Sequence, residues 1–136
     1  LTFLRSAATS ASTGNPGHGT VKFVRVKSIE ELNARIKSAG RPVMLDFYAD
    51  WCASCKEMEY LTFSDPAVIE RLNKMLLLQA DVTDNNDDDK ALLKHFDLFG
   101  PPGILFFDAK GQEIPDQRVI GYQPPEEFLA TLKSLP

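Results

Sequence analysis

The 136-residue chain has two cysteines, Cys52 and Cys55, which stand two residues apart in the stretch YADWCASCKEMEY, behind Trp51 and among Asp50, Glu57 and Glu59. Three kinds of chemistry use such a pair. A structural disulfide here would close a loop of only four residues, worth roughly 2 kcal/mol in chain entropy, and would tie no distant segments together. A metal site would have to draw on two thiolates and the histidines His18 and His95, with no second CxxC and no HxxxH to complete it. A redox centre fits the spacing best. Two residues between cysteines at a helix start leave the first sulfur exposed at the helix N-terminus and the second one turn inward. The helix dipole and free backbone N–H groups then stabilise a thiolate on Cys52 that attacks a partner disulfide, and Cys55 resolves the mixed disulfide. A metal-carrying module using the two thiolates stays open as the alternative from a different class.

A pair used this way needs a strand to deliver it and a helix to follow it. PVMLDFYA (42–49) is nearly all apolar, as a central strand covered on both faces is, with one intrusive charge at Asp46. Upstream, VKFVRV (21–26) alternates as a half-buried strand, and Ser28 with Glu31 forms a capping box opening a helix that stops at Gly40. Downstream, KEMEYLTF has helical composition, and Asp65 and Pro66 read as N-cap and first residue of the helix PAVIERLNKM. LLLQADV (76–82) is a further buried strand. DDDKALLKHF is a helix with its aspartates at the favoured end and Leu92, Leu93 and Phe96 inward. GILFFD and QRVIGY read as strands of a hairpin turned by DAKGQE, and PPEEFLATLKSL as a closing helix with Phe128, Leu129 and Leu132 on its apolar stripe. This order requires an α/β fold, a mixed sheet with helices on both faces and the CxxC at the carboxyl end of a central strand.

Composition bounds the setting. Length and apolar content suit one domain over residues 21–136, whereas residues 1–20, mostly Ser, Thr, Ala and Gly toward their end, read as a flexible linker or added tail holding a solvated His18. The net charge of -4 offers no basic field, so nucleic acid is not an expected partner. No apolar run approaches the roughly 18 residues a membrane span requires. The first residue is Leu1 rather than Met, so a longer precursor is expected. The acidic run DNNDDD does not fit a calcium loop, because Asp89 would fall where Gly is required, and it reads as a solvated helix start.

Far from the cysteines, FGPPGILFF places Pro102 directly before a strand, where a cis X–Pro bond would expose a backbone edge beside a neighbouring active site. LDFYADWCASCK with such a proline resembles the thioredoxin superfamily. The stretches PVMLDFYADWCASCKEMEYLTFSDPAV, LLLQADVT, ALLKHF, ILFFDAKGQE and RVIGY further resemble the C-terminal periplasmic domain of the bacterial thiol:disulfide interchange proteins DsbD, over nearly all of residues 21–136. The resemblance implies a thioredoxin fold and a periplasmic protein-disulfide reductase domain of an inner-membrane protein, needing no cofactor beyond the Cys52–Cys55 disulfide. Electrons would come from the transmembrane domain of the same parent and pass to its N-terminal periplasmic domain. From there they would reach disulfide isomerases and thioredoxin-like proteins of cytochrome c maturation. The isolated domain is expected to be a monomer, and a free-standing periplasmic thioredoxin-like reductase is the alternative within the class.

By matching motif, Cys52 is the attacking thiol, Cys55 the resolving thiol, Pro102 the cis proline, and Asp46 and Glu59 the acids that tune the attacking cysteine. Pro101 and Gly103 depart from the pattern, which has a larger apolar residue before the proline and Thr after it; Pro101 has no N–H to offer a docking partner. Trp51 is expected to shield the sulfurs and join the docking face. Asp46 should lie buried below the cysteines, and Glu59 one helical turn beyond Cys55 on the same side. Their negative charge opposes the helix dipole, raises the thiolate's pKa and favours the disulfide, making the dithiol an electron donor.

Overall fold

The structure, a computed structural model, describes residues 21–136; the tail expected over residues 1–20, with His18, lies outside the described residues. Central to it is strand β2 (Val43–Tyr48), every residue of which is buried. It runs parallel to β3 (Leu76–Asp81) on one side and antiparallel to β4 (Gly103–Phe107) on the other. The edges are two-residue strands, β1 (Val24–Arg25) parallel to β3 and β5 (Val119–Ile120) antiparallel to β4, giving the order β1-β3-β2-β4-β5. Helices α1 (Ile29–Ala39), α2 (Ala53–Glu57), α3 (Pro66–Leu72), α4 (Asp87–His95) and α5 (Pro125–Lys133) complete the expected mixed architecture.

Side chains alternate across β2 and so feed two cores. Val43, Leu45 and Phe47 pack with Leu32 and Ile36 of α1 and Leu92, Leu93 and Phe96 near α4. Met44 joins Met58, Phe63, Val68, Leu72, Ile104, Phe106, Phe128 and Leu132 on the opposite face. Edge-to-face rings, Phe47 with Phe96 at 6.1 Å and Phe63 with Phe128 at 5.7 Å, lock each layer. At about 1.5–3 kcal/mol for each large apolar side chain fully removed from water, these two layers hold β2 rigid beneath the cysteines.

The local signals held where short-range chemistry decides them. Asp65 accepts hydrogen bonds from the Ala67 and Val68 N–H groups, with Pro66 next to it, although α3 stops at Leu72, three residues short of the expected end, to let Leu76 enter β3. Ser28 caps Glu31 N–H at 3.1 Å, but the Glu31 carboxylate returns to Lys27 N–H at 2.7 Å instead of to Ser28, so the expected capping box is only half formed. The reciprocal box lies on α4: Asn86 and Asp89 each accept from the other's N–H. Asp89 is buried, so the solvated run expected over 84–89 holds only for residues 84–88.

Four further expectations about the elements change. The strand expected over Val21–Val26 pairs with β3 only at Val24 and Arg25, because the Phe23 ring leaves the strand line to pack on Phe63 at 5.6 Å. QRVIGY shortens to Val119–Ile120, ended by Gly121 at φ 92°, a backbone angle glycine adopts at little cost. The turn DAKGQE, organised by the Asp108 carboxylate and Gly111 at φ 88°, closes only the Phe107–Glu113 bridge before the chain runs on to β5, so the hairpin is not tight. The helix after the cysteines changes character at Met58–Thr62, a π-helical turn in which Phe63 N–H reaches Met58 C=O at 2.7 Å.

Candidate redox site

Strand β2 ends at Tyr48, and the chain turns so that Cys52 becomes the N-cap of α2. Its N–H donates to Ala49 C=O at 3.1 Å, and its carbonyl accepts from Lys56 N–H at 3.2 Å. The two cysteines form a disulfide, and Cys52 Sγ also accepts from Cys55 N–H at 3.2 Å. That bond folds the sulfur back onto the helix start, so Cys52 is only 7% exposed and Cys55 4%. The expected exposed first sulfur is thus not found in this oxidised form; the two cysteines are nearly equally covered.

Sheet register brings the proline loop to the same place. Cys55 Sγ lies 3.8 Å from the Phe47 carbonyl oxygen, and Phe47 stands opposite Gly103, the residue after Pro102. The Pro101–Pro102 peptide bond is cis. Gly103 has a packing reason: a Cβ there would meet Leu98 Cδ1 at 3.2 Å, so the Leu98 side chain fills the space a larger residue would take.

Asp46 alternates with Leu45 and Phe47 on β2, so its side chain leaves the strand on the side of Met44, and it is 5% exposed. Burial pushes its carboxyl up to about 7; the negative charge of Glu59 adds to the rise, while a hydrogen bond from Gln79 Nε2 at 3.0 Å and the charge of Arg25 oppose it. Glu59 itself is half-buried in the π-helical turn, beside a small cleft lined by Val21, Phe23 and Phe63. The negative charge of Glu59 thus bears on Asp46. Glu57 is exposed, as a solvated helix-face charge is.

Above the disulfide, Trp51 is 62% exposed and tethered by its indole N–H to Thr83 C=O at 3.0 Å. Asp50 N–H donates to Thr83 Oγ1 at 2.9 Å, and the Asp50 carboxylate accepts from Tyr48 OH at 3.1 Å, which in turn accepts from Lys56 Nζ at 2.5 Å. Sequence reasoning missed Thr83, Gln79, Arg25, Tyr48 and Lys56. Gln79 alone carried a signal: it is the one uncharged polar residue of the strand LLLQAD, where an amide left without a partner would be costly. Also unforeseen are Phe99 and Ile120, both exposed, one three residues before Pro102 and the other paired with Gly103.

His95 is exposed and stacks edge-on against Phe96 at 4.8 Å, away from the cysteines in sequence and element. Among the described residues no three His, Cys, Asp or Glu side chains gather as a metal site. The arrangement can perform dithiol–disulfide exchange on a rigid strand end, with a covered sulfur pair, a tethered indole and a cis-proline loop around it.

The pattern of the family described as a thioredoxin-like domain matches residues 29–136. The thiol:disulfide interchange protein DsbD of Ralstonia nicotianae is 55% identical over 127 residues, 90% of this chain and 21% of that protein. The Escherichia coli K12 protein of the same name is 52% identical over 114 residues, 83% of this chain and 20% of that protein. The chain thus spans about a fifth of the length of these relatives. Among solved structures, the oxidised C-terminal domain of DsbD from Neisseria meningitidis superposes with a TM-score of 0.68 at 32% identity, covering 81% of this chain and 97% of that one. With its five-stranded mixed sheet, its disulfide at a helix start and these relatives, the chain belongs to the thioredoxin-like domain family and, within it, to the C-terminal domains of the thiol:disulfide interchange proteins DsbD.

Proposed function

We propose that this domain, residues 21–136, is the electron-relay module of a larger inner-membrane protein, working in the periplasm as a protein-disulfide reductase. The chain covers a fifth of its relatives, which leaves room in such a parent for a membrane-embedded donor and a second periplasmic acceptor domain. Among the described residues no helix is long and apolar enough to cross a membrane, so the span would belong to another part of that parent.

In the reduced domain, the Cys52 thiolate attacks a disulfide of the partner. A Cys52–partner bond forms and one partner sulfur leaves as thiolate. Cys55 then gives up its proton and attacks Cys52 Sγ, forming the intramolecular disulfide and releasing the second partner thiolate. Two electrons have moved to the partner, and the same steps in reverse with a donor dithiol recharge the domain. Trp51 and the Pro101–Pro102 loop, widened by exposed Phe99 and Ile120, form the face on which the partner's backbone docks. Pro101 offers no N–H, so its contribution is apolar.

The observation that supports the direction is the buried carboxyl of Asp46 on the strand that leads to the cysteines, with the negative charge of Glu59 bearing on it. Negative charge there disfavours a thiolate, so the dithiol is the less stabilised partner and gives electrons away. The test is the reduction potential of the Cys52–Cys55 pair, measured by equilibration against a defined thiol buffer with alkylation as readout. A value around the roughly -270 mV of thioredoxin supports electron donation, whereas one near the roughly -120 mV of a strong oxidant reverses the direction.

A further inference from the structure

Arg25 lies on the edge strand β1, with no place in the cysteine motif, yet its guanidinium is held on three sides. Nε donates to Gln79 Oε1 at 2.7 Å, Nη1 reaches Asp81 Oδ2 at 2.8 Å, and the head group stands 5.8 Å from the centre of the Tyr48 ring. Asp81 is itself anchored: its Oδ1 accepts from Thr83 N–H at 3.0 Å and from the Thr83 hydroxyl. Gln79, oriented by Arg25 through its oxygen, points its amide nitrogen at Asp46 Oδ2. An amide has one acceptor end and one donor end, so fixing the first on a guanidinium leaves the second aimed at the carboxyl. A forked, planar head group can bond Gln79 and Asp81 together, which a single ammonium cannot do with the same geometry.

We propose that Arg25 is a positioning residue of the redox centre, acting through Gln79 on the buried Asp46 and thereby on the electron affinity of the Cys52–Cys55 pair. This rests on the redox reading above and extends it to a residue outside the motif. The charged groups that bear on Asp46 are Arg25 from β1 and Glu59 from the π-helical turn, with the neutral Gln79 from β3 between Arg25 and the carboxyl. Arg25 is the cation among them, and the relay transmits its influence by hydrogen bonds as well as by charge.

The experiment follows the Asp46 side-chain carboxyl by carbon NMR across pH in the disulfide form, where neither cysteine titrates. Arg25→Met keeps the apolar stem and removes the fork; Gln79→Met cuts the same relay at its middle and serves if the first variant does not fold. Both are expected to move the Asp46 midpoint upward, and Arg25→Lys to fall between wild type and Arg25→Met. The reduction potential is then expected to differ from wild type in Arg25→Met, and that difference to vanish when Asp46 is already Asn. An unmoved Asp46 midpoint, an Arg25→Lys domain identical to wild type, or a potential difference that survives in the Asp46→Asn background overturns the proposal. The carboxyl titration needs no electron partner, so loss of the relay function would show separately, as a wild-type domain with no reducing potential.

Discussion

Replacing Asp46 by Asn should make the oxidised domain more stable, and the gain should appear only as pH rises. The Asp46 carboxyl is pushed from an ordinary 3.8 to about 7, first by burial and then by Glu59, against the Gln79 hydrogen bond and the Arg25 charge. Between those two values the folded state holds a proton that the unfolded state has released. Stability is therefore present at low pH and lost as pH climbs through the window, the loss being complete above the folded value. Three pH units at ~1.4 kcal/mol each make the cost about 4 kcal/mol at most. Asn is neutral throughout, has the same planar shape, and offers an oxygen to the Gln79 Nε2 donor. The two proteins should thus agree within about 1 kcal/mol near pH 4, one hydrogen bond's worth, and diverge to about 4 kcal/mol by about pH 8 in favour of the variant. Urea unfolding of the disulfide form followed by far-ultraviolet circular dichroism reads this difference, and groups that titrate alike in both proteins cancel from it. A difference that is flat with pH, or that grows toward acid, would refute the reasoning, because either result requires a carboxyl that is not protonated by its burial.

In the reduced domain, Asp46→Asn combined with Glu59→Gln removes the two acids proposed to tune Cys52, so the pH midpoint for alkylation of Cys52 should fall; an unchanged midpoint would sink the electrostatic account of direction. Phe128→Ala empties a site between Phe63 and Phe106, at 5.7 and 6.4 Å, on the far helix α5, and should cost about 3–5 kcal/mol in chemical denaturation while leaving the reduction potential in place. A shifted potential in that variant would mean that the layer under α5 takes part in tuning the disulfide.

What could be read ahead of the fold had short-range causes. Cys52 and Cys55 announce a dithiol by their spacing, Asp65–Pro66 a helix start by capping, and an apolar run broken by Asp46 a central strand with a costly charge inside it. The same kind of reasoning misplaced features whose causes lie elsewhere in the chain. Phe23 belongs to an alternating pattern, but the Phe63 ring draws it off the strand line. KEMEYLTF has the composition of an α-helix, and nothing in its own residues separates that from a π-helical turn, since the difference lies in packing Met58, Thr62 and Phe63. An exposed Cys52 follows from motif geometry, while the actual cover comes from the disulfide folding its sulfur onto Cys55 N–H.

The sequence by itself determined the dithiol, the strand beneath it, the helix that follows and the buried acid, because each depends on residue types within one or two turns of chain. Tertiary structure alone decided which groups answer that acid. Arg25 and Gln79 are 54 positions apart, and Gln79 and Asp46 are 33 apart. Only the parallel register of β1, β3 and β2, which sets Arg25 against Gln79 and Gln79 against Asp46, puts the three side chains in one line. Register is a property of paired strands, settled by the packing of both faces of the sheet, and no single segment carries it.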